Sequence, residues 1–117
     1  MKRRPWAPRR GDAVWISLRP QAGHEQAGRR PALVVSPEAY NRRVGLALVC
    51  PITGQAKGYP FEVAIPEGAP ATGVVLADQV KSLDWKDRRA ELLCALPDAV
   101  VMETLGKLSA LLAPQEA

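Results

Sequence analysis

Cysteine is scarce in this chain: Cys50 and Cys94 are the only two. Neither belongs to a C-x-x-C pair or to a Cys/His cluster with metal-ligand spacing, which excludes a zinc-finger or redox-motif reading. Both lie in apolar runs, "LALVCPI" and "ELLCAL", and are expected to be buried thiols. Histidine is scarcer still, with His24 standing alone. No stretch approaches the ~20 apolar residues of a membrane span. The opening "MKRRPWAPRR" has the charge of a secretory leader but not its apolar core, so no membrane association is expected and the cytoplasm is the expected compartment. Proline and glycine, 11 and 9 residues, are scattered rather than repeated, which excludes low-complexity and repeat architectures.

At 117 residues the chain has the length of one domain with one modest core. Residues 1–10 are expected to be a basic, flexible N-terminal arm and residues 11–113 a single folded domain. The net charge of +4 hides an asymmetry. Residues 1–43 carry ten basic side chains against three acidic ones, whereas residues 44–117 carry six against nine. A first third at +7 is either a solvated, solubilising segment or an attractor of phosphate backbones or of an acidic protein.

Six short runs read as strands. "AVWISL" (13–18) alternates, with Val14, Ile16 and Leu18 on one face; "ALVVS" (32–36) and "LALVC" (46–50) are continuously apolar; "FEVAI" (61–65), "GVVLA" (73–77) and "ELLCAL" (91–96) complete the set. Turn chemistry separates them: Gly11-Asp12, Ser36-Pro37, Thr53-Gly54 with Gly58, and "PEGAPATG". The tail changes period. Pro97 fits a first helical position, and Val101, Leu105, Leu108 and Leu112 form a core-facing stripe that Pro114 ends. The expected fold is mainly β, a small barrel with a C-terminal α-helix.

One junction raises a chemical question. "EQAGRRPALVVS" (25–36) sets Glu25, Arg29 and Arg30 against a buried strand, and charges beside a core are costly unless paired or used. Glu25 with Arg29 or Arg30 is therefore either an ion pair closing a loop or part of a site. Pro31 forces Arg30 into extended backbone and holds it at the strand mouth. A second polar cluster, "PITGQAKGYPFEV" (51–63), puts Thr53 at the end of an apolar strand. Gln55, Lys57 and Tyr59 follow in a Gly-containing loop whose backbone can approach a phosphate.

"GDAVWISLRPQAGHEQAGRRPALVVSPEAYN", "PITGQAKGYPFEV" and "GVVLADQVKSLDW" stand in the order and spacing of the MazF/PemK toxins, the ribonuclease halves of bacterial toxin–antitoxin pairs, which the chain resembles over residues 11–112. The resemblance implies a compact SH3-like barrel of the MazF/CcdB type, a homodimer, an acidic antitoxin partner, and cleavage of single-stranded RNA at short sequences. It assigns cleavage to Arg30 and Thr53 and places Glu25 and Lys57 near bound RNA, with Glu25 a candidate for catalysis or substrate positioning. Many relatives carry a second Ser or Thr where this chain has Gly54, a departure that bears on target preference.

The residues themselves suit internal RNA cleavage. The substrate's own 2′-hydroxyl can serve as nucleophile, which leaves the protein to move two protons and to stabilise charge on phosphorus, with no metal or cofactor called for. Arg30 offers a planar fork of donors, Thr53 a hydroxyl and Lys57 a point charge. Arg29, Gln55, His24 and Tyr59 join them as expected RNA contacts. His24 is otherwise a solvated loop side chain. Trp15 is expected to be core packing, and Asp78 and Gln79 buried hydrogen-bonding supports. Two other classes stay open: a CcdB-like protein-binding poison on the same fold, and a non-catalytic RNA-binding barrel.

Overall fold

The computed structural model describes residues 5–20 and 28–114. In β1 (Asp12–Ser17) the alternation of the sequence is kept: Val14 and Ile16 enter one core cluster and Ala13 the other. β2 (Arg29–Val34) returns antiparallel, with Trp15 opposite Pro31 and Ile16 opposite Arg30. A short helix α1 (Glu38–Val44) follows, closed by Gly45 at φ 82, a left-handed conformation suited to glycine. Then come β3 (Leu46–Thr53), the hairpin strands β4 (Glu62–Ala64) and β5 (Val74–Leu76), and a 3₁₀ turn Ala77–Gln79. β6 (Lys81–Asp84), β7 (Glu91–Ala95) and the helix α2 (Asp98–Leu112) complete the chain.

The pairings run β4-β5-β3-β2-β1-β7, with β6 beside β3. The expected mainly β fold with a C-terminal helix is what the structure has; among the described residues no pairing joins β7 to β4, so the antiparallel sheet is folded but not closed. α2 packs against β4 and the 3₁₀ turn where a closing strand would lie. Its Val100, Val101 and Leu108 enter the cluster of Leu33, Cys50, Val63 and Val75. Lys107 Nζ donates to the carbonyls of Pro60 and Glu62 at 2.7 and 2.8 Å.

Three sequence expectations change. α1 and β6 were not anticipated: "EAYNRRV" has too few apolar residues for a helical stripe, and β6 buries only Leu83. On α2 the buried face is Val100, Val101, Thr104 and Leu108, and Leu112 is 78% exposed. Cys94 is only half-buried. Within the stretch read as an arm, residues 5–10 make contacts of their own. Ala7 is buried, Trp6 meets Trp85 edge-on at 5.8 Å, and Asn41 Nδ2 donates to the Pro8 carbonyl at 2.9 Å.

Burial, with Asp78 as the lesser cause, pushes the Cys50 thiol up to about 12. The thiolate is the reactive species, and at pH 8 it is roughly 1 in 10,000 of such a thiol. In the native protein at pH 8, iodoacetamide should leave Cys50 unmodified over a time that alkylates it fully in urea. Peptide mapping that finds equal rates in the two states contradicts this burial.

Candidate functional site

The β2–β3 register sets Ala32 opposite Pro51, Leu33 opposite Cys50 and Val34 opposite Val49. Continued by two residues, it brings Arg30 across from Thr53. Both line a groove of about 460 Å³, with Trp15, Gly54, Gln55 and Leu93 among its other walls. Arg30 is exposed at the mouth of β2, and its Nη1 donates to the Arg29 carbonyl at 3.1 Å. Its remaining N–H donors have no partner among the described residues. Thr53 is half-buried, and its Oγ1 accepts the Gln55 N–H at 3.2 Å. That bond uses one lone pair and leaves the hydroxyl proton free to donate into the groove.

Thr53 is held from behind. Gly73 has φ +107, and a Cβ there would lie 2.0 Å from the Thr53 carbonyl oxygen. Only glycine permits this approach of β5 to the end of β3. Gly54 is the opposite case, since a Cβ there meets nothing within 4 Å.

A second hollow of about 560 Å³ shares Thr53 and Gln55 and extends to Lys57, Tyr59 and Gln79. Two backbone amides of this loop are already taken. The Glu62 carboxylate accepts the Lys57 and Gly58 N–H groups at 2.9 and 3.1 Å. What the loop offers is the exposed Lys57 ammonium. The Tyr59 hydroxyl donates to Asp78 Oδ2, and this bond raises the phenol above its ordinary pKa. Asp78 is thus a half-buried latch for the loop and Gln79 is exposed, a correction to the buried pair expected.

Arg29 departs most from expectation. Its guanidinium pairs with Glu91 at 3.0 Å and donates to the carbonyls of Trp15, at 2.9 Å, and Arg89. Trp15, expected in the core, is 39% exposed as a groove wall, whereas Trp85 is buried and donates its Nε1–H to the Asn41 carbonyl at 2.9 Å. Glu25 and His24 lie outside the described residues. Arg88 was missed altogether. It is 6% exposed and donates to Asp84 and to the carbonyls of Ser17, Arg19 and Pro20. Those carbonyls are 68 to 71 residues away in sequence, so only the Asp84–Arg88 spacing hinted at it.

An open antiparallel sheet with a terminal helix, carrying an Arg–Thr–Trp groove that continues into a Lys–Tyr hollow, defines a small β-sheet fold with a cationic groove. The model of the PemK-like, MazF-like toxins of type II toxin–antitoxin systems matches residues 9–112, and the chain belongs to this family. The endoribonuclease toxin MazF of Escherichia coli (strain K12) is 51% identical over 85 residues, 73% of this chain and 76% of that one. The crystal structure of MazF (Form-I) from Deinococcus radiodurans superposes with a TM-score of 0.83 at 56% identity, covering 92% of this chain and 98% of that one. The MazE-MazF crystal structure (Form-II) from Deinococcus radiodurans gives 0.83 at 48%, covering 95% and 100%.

Gly73→Ala should cost about 2–4 kcal/mol of stability, from the left-handed backbone and the clash with Thr53 together. A urea titration reads this directly. A midpoint unchanged from the parent chain contradicts the close approach of β5 to Thr53.

Proposed function

We propose that this chain is the toxin of a type II toxin–antitoxin pair and a sequence-specific, metal-independent endoribonuclease acting on single-stranded RNA, mRNA included. The observation that carries the reading is the meeting of Arg30 and Thr53 in one groove. The 2′-oxygen attacks phosphorus, the O2′–P bond forms and the P–O5′ bond breaks. The 2′-hydroxyl proton leaves to a base, and the departing 5′-oxygen gains a proton. The products are a 2′,3′-cyclic phosphate and a 5′-hydroxyl. Because the nucleophile belongs to the substrate, no metal-activated water enters.

In this mechanism Arg30 grips the non-bridging oxygens and stabilises the charge that develops on phosphorus. Thr53 donates its free hydroxyl proton to the same phosphate. Lys57, in the adjoining hollow, takes a neighbouring phosphate as a point charge. Gln55 and Tyr59 line the path of the bases, where an aromatic face can stack. Glu25 is the proposed carboxylate for proton removal or substrate positioning, and His24 a further RNA contact.

The proposed protein partner is an acidic antitoxin that covers the groove and sets carboxylates at its phosphate sites. The complex named MazE-MazF from Deinococcus radiodurans supports it. No described helix is long and apolar enough to cross a membrane, and the cytoplasm, where mRNA is met, is the proposed compartment.

Arg30→Ala should slow cleavage roughly 100-fold or more, since one lost donor to a transition-state oxyanion costs about 3–4 kcal/mol. Thr53→Val should also slow it, and neither change should move the melting temperature by more than a few degrees. Cleavage should persist in EDTA. Full activity of Arg30→Ala, or a 5′-phosphate on the downstream fragment, contradicts the mechanism. RNA binding without cleavage by the parent chain points to a binding barrel, and neither binding nor cleavage to a protein-directed poison.

A homodimer is proposed as well. Leu92, Met102, Leu111 and Leu112 leave apolar surface exposed on a single copy. Sedimentation at micromolar concentration should give twice 12.7 kDa, and a monomer there contradicts pairing.

A further inference from the structure

We infer that Arg29 is a positioning residue that sets the two walls of the groove, and not a phosphate contact; the inference rests on the endoribonuclease reading of that groove. Its side chain is 9% exposed, although it neighbours the exposed Arg30. Its Nη1 faces Glu91 at 3.0 Å, and its Nη2 donates to the carbonyls of Trp15 and Arg89. One guanidinium on β2 therefore grips β1 and β7 together with the turn before β7.

One of those attachments leads to the groove, and the backbone of Arg29 supplies a second link. Trp15, whose carbonyl Arg29 holds, forms one wall and stands in register between Pro31 on β2 and Glu91 on β7. Arg30 forms the other, and its Nη1 donates to the carbonyl of Arg29 itself. Arg89 adopts φ 52, a left-handed backbone rare for a side-chain-bearing residue, and its carbonyl is an Arg29 acceptor. A phosphate that sought Arg29 would have to displace Glu91 and two carbonyls from a nearly buried cation, whereas Arg30 is presented with most donors uncommitted. The fork is what the site needs, because a lysine cannot reach three acceptors in one plane.

The test compares Arg29→Met, Arg29→Lys and Glu91→Gln in the full chain, with a single-stranded RNA as substrate. Arg29→Met should lower kcat roughly 10-fold or more, while the slope of log binding constant against log salt stays that of the parent. Loss of a phosphate contact would instead reduce that slope by about 0.7. Arg29→Lys should recover part of the rate. Glu91→Gln leaves Arg29 in place and its side chain is largely exposed, so it should fold even if Arg29→Met does not, and it should shift kcat the same way by a smaller factor. ¹⁵N spectra add a readout independent of cleavage: the Trp15 and Arg30 amides should move in the variants and the buried Trp85 indole should not. A slope lowered by about 0.7 at unchanged kcat overturns the inference, as do unmoved Trp15 and Arg30 signals. A parent chain that cuts no RNA overturns the functional reading instead, and the spectra still decide whether Arg29 sets the groove walls.

Discussion

β3 has to pair with three strands at once, and the site depends on how it does so. One stretch, Leu46–Val49, pairs with β6 and the end, Ile52 and Thr53, pairs with β5, while Val49, Cys50 and Pro51 pair with β2. The handover between β6 and β5 falls at Cys50 and Pro51. Proline has no N–H to give to a ladder, and it stands where neither β5 nor β6 pairs. A proline in the central strand is tolerated for that reason, and the chain passes there from one hydrogen-bonded layer to the other. Thr53 is delivered to a strand end with β5 on one side and the mouth of β2 on the other.

Around that strand end the backbone is fixed while the Arg30 and Lys57 side chains are left exposed. Gly73 abuts the Thr53 carbonyl, Glu62 ties two loop amides, Asp78 holds the Tyr59 hydroxyl, and Lys107 on α2 binds the carbonyls of Pro60 and Glu62. Arg30 and Lys57 stay open to solvent. On the proposed reading such donors, held in place before a substrate arrives, need little reorganisation as charge develops.

Much of this was legible in the sequence, for identifiable reasons. Alternation fixed the inward residues of β1, continuous apolar runs marked β2 and β3, and Pro31 fixed the extended backbone of Arg30. The motifs that resemble the toxin family put Arg30 and Thr53 in one site, and the register of β2 on β3 brings them together. What stayed hidden depends on partners far along the chain. Arg29 is turned away from the groove by Glu91, 62 positions later, and Arg88 is buried by carbonyls near the start of the domain. Trp15 is another such case. Strand parity set it opposite Val14 and Ile16, but only the missing neighbour on that side, a groove instead of a helix, makes it exposed. That the sheet stays open between β7 and β4 was not legible either, because strand count fixes neither shear nor closure.

The charge asymmetry of the sequence takes on a different meaning in the fold. In the first third, Arg10 donates to the Val35 carbonyl, Arg42 to Glu38 and the Pro5 carbonyl, and Arg9 lies 3.6 Å from Glu38. Among the described residues few of these basic side chains are thus free to touch a ligand, and a count of positive charges overstates the contacts available. Long-range attraction is another matter. A guanidinium bonded to neutral carbonyls keeps its whole charge, so Arg10 still adds to the field of the surface although its Nε is committed to Val35. Such a field reaches about 8 Å at physiological ionic strength and speeds encounter with a polyanion. Internally bonded arginines can therefore steer a polyanion toward the groove, where Arg30 and Lys57 stand exposed.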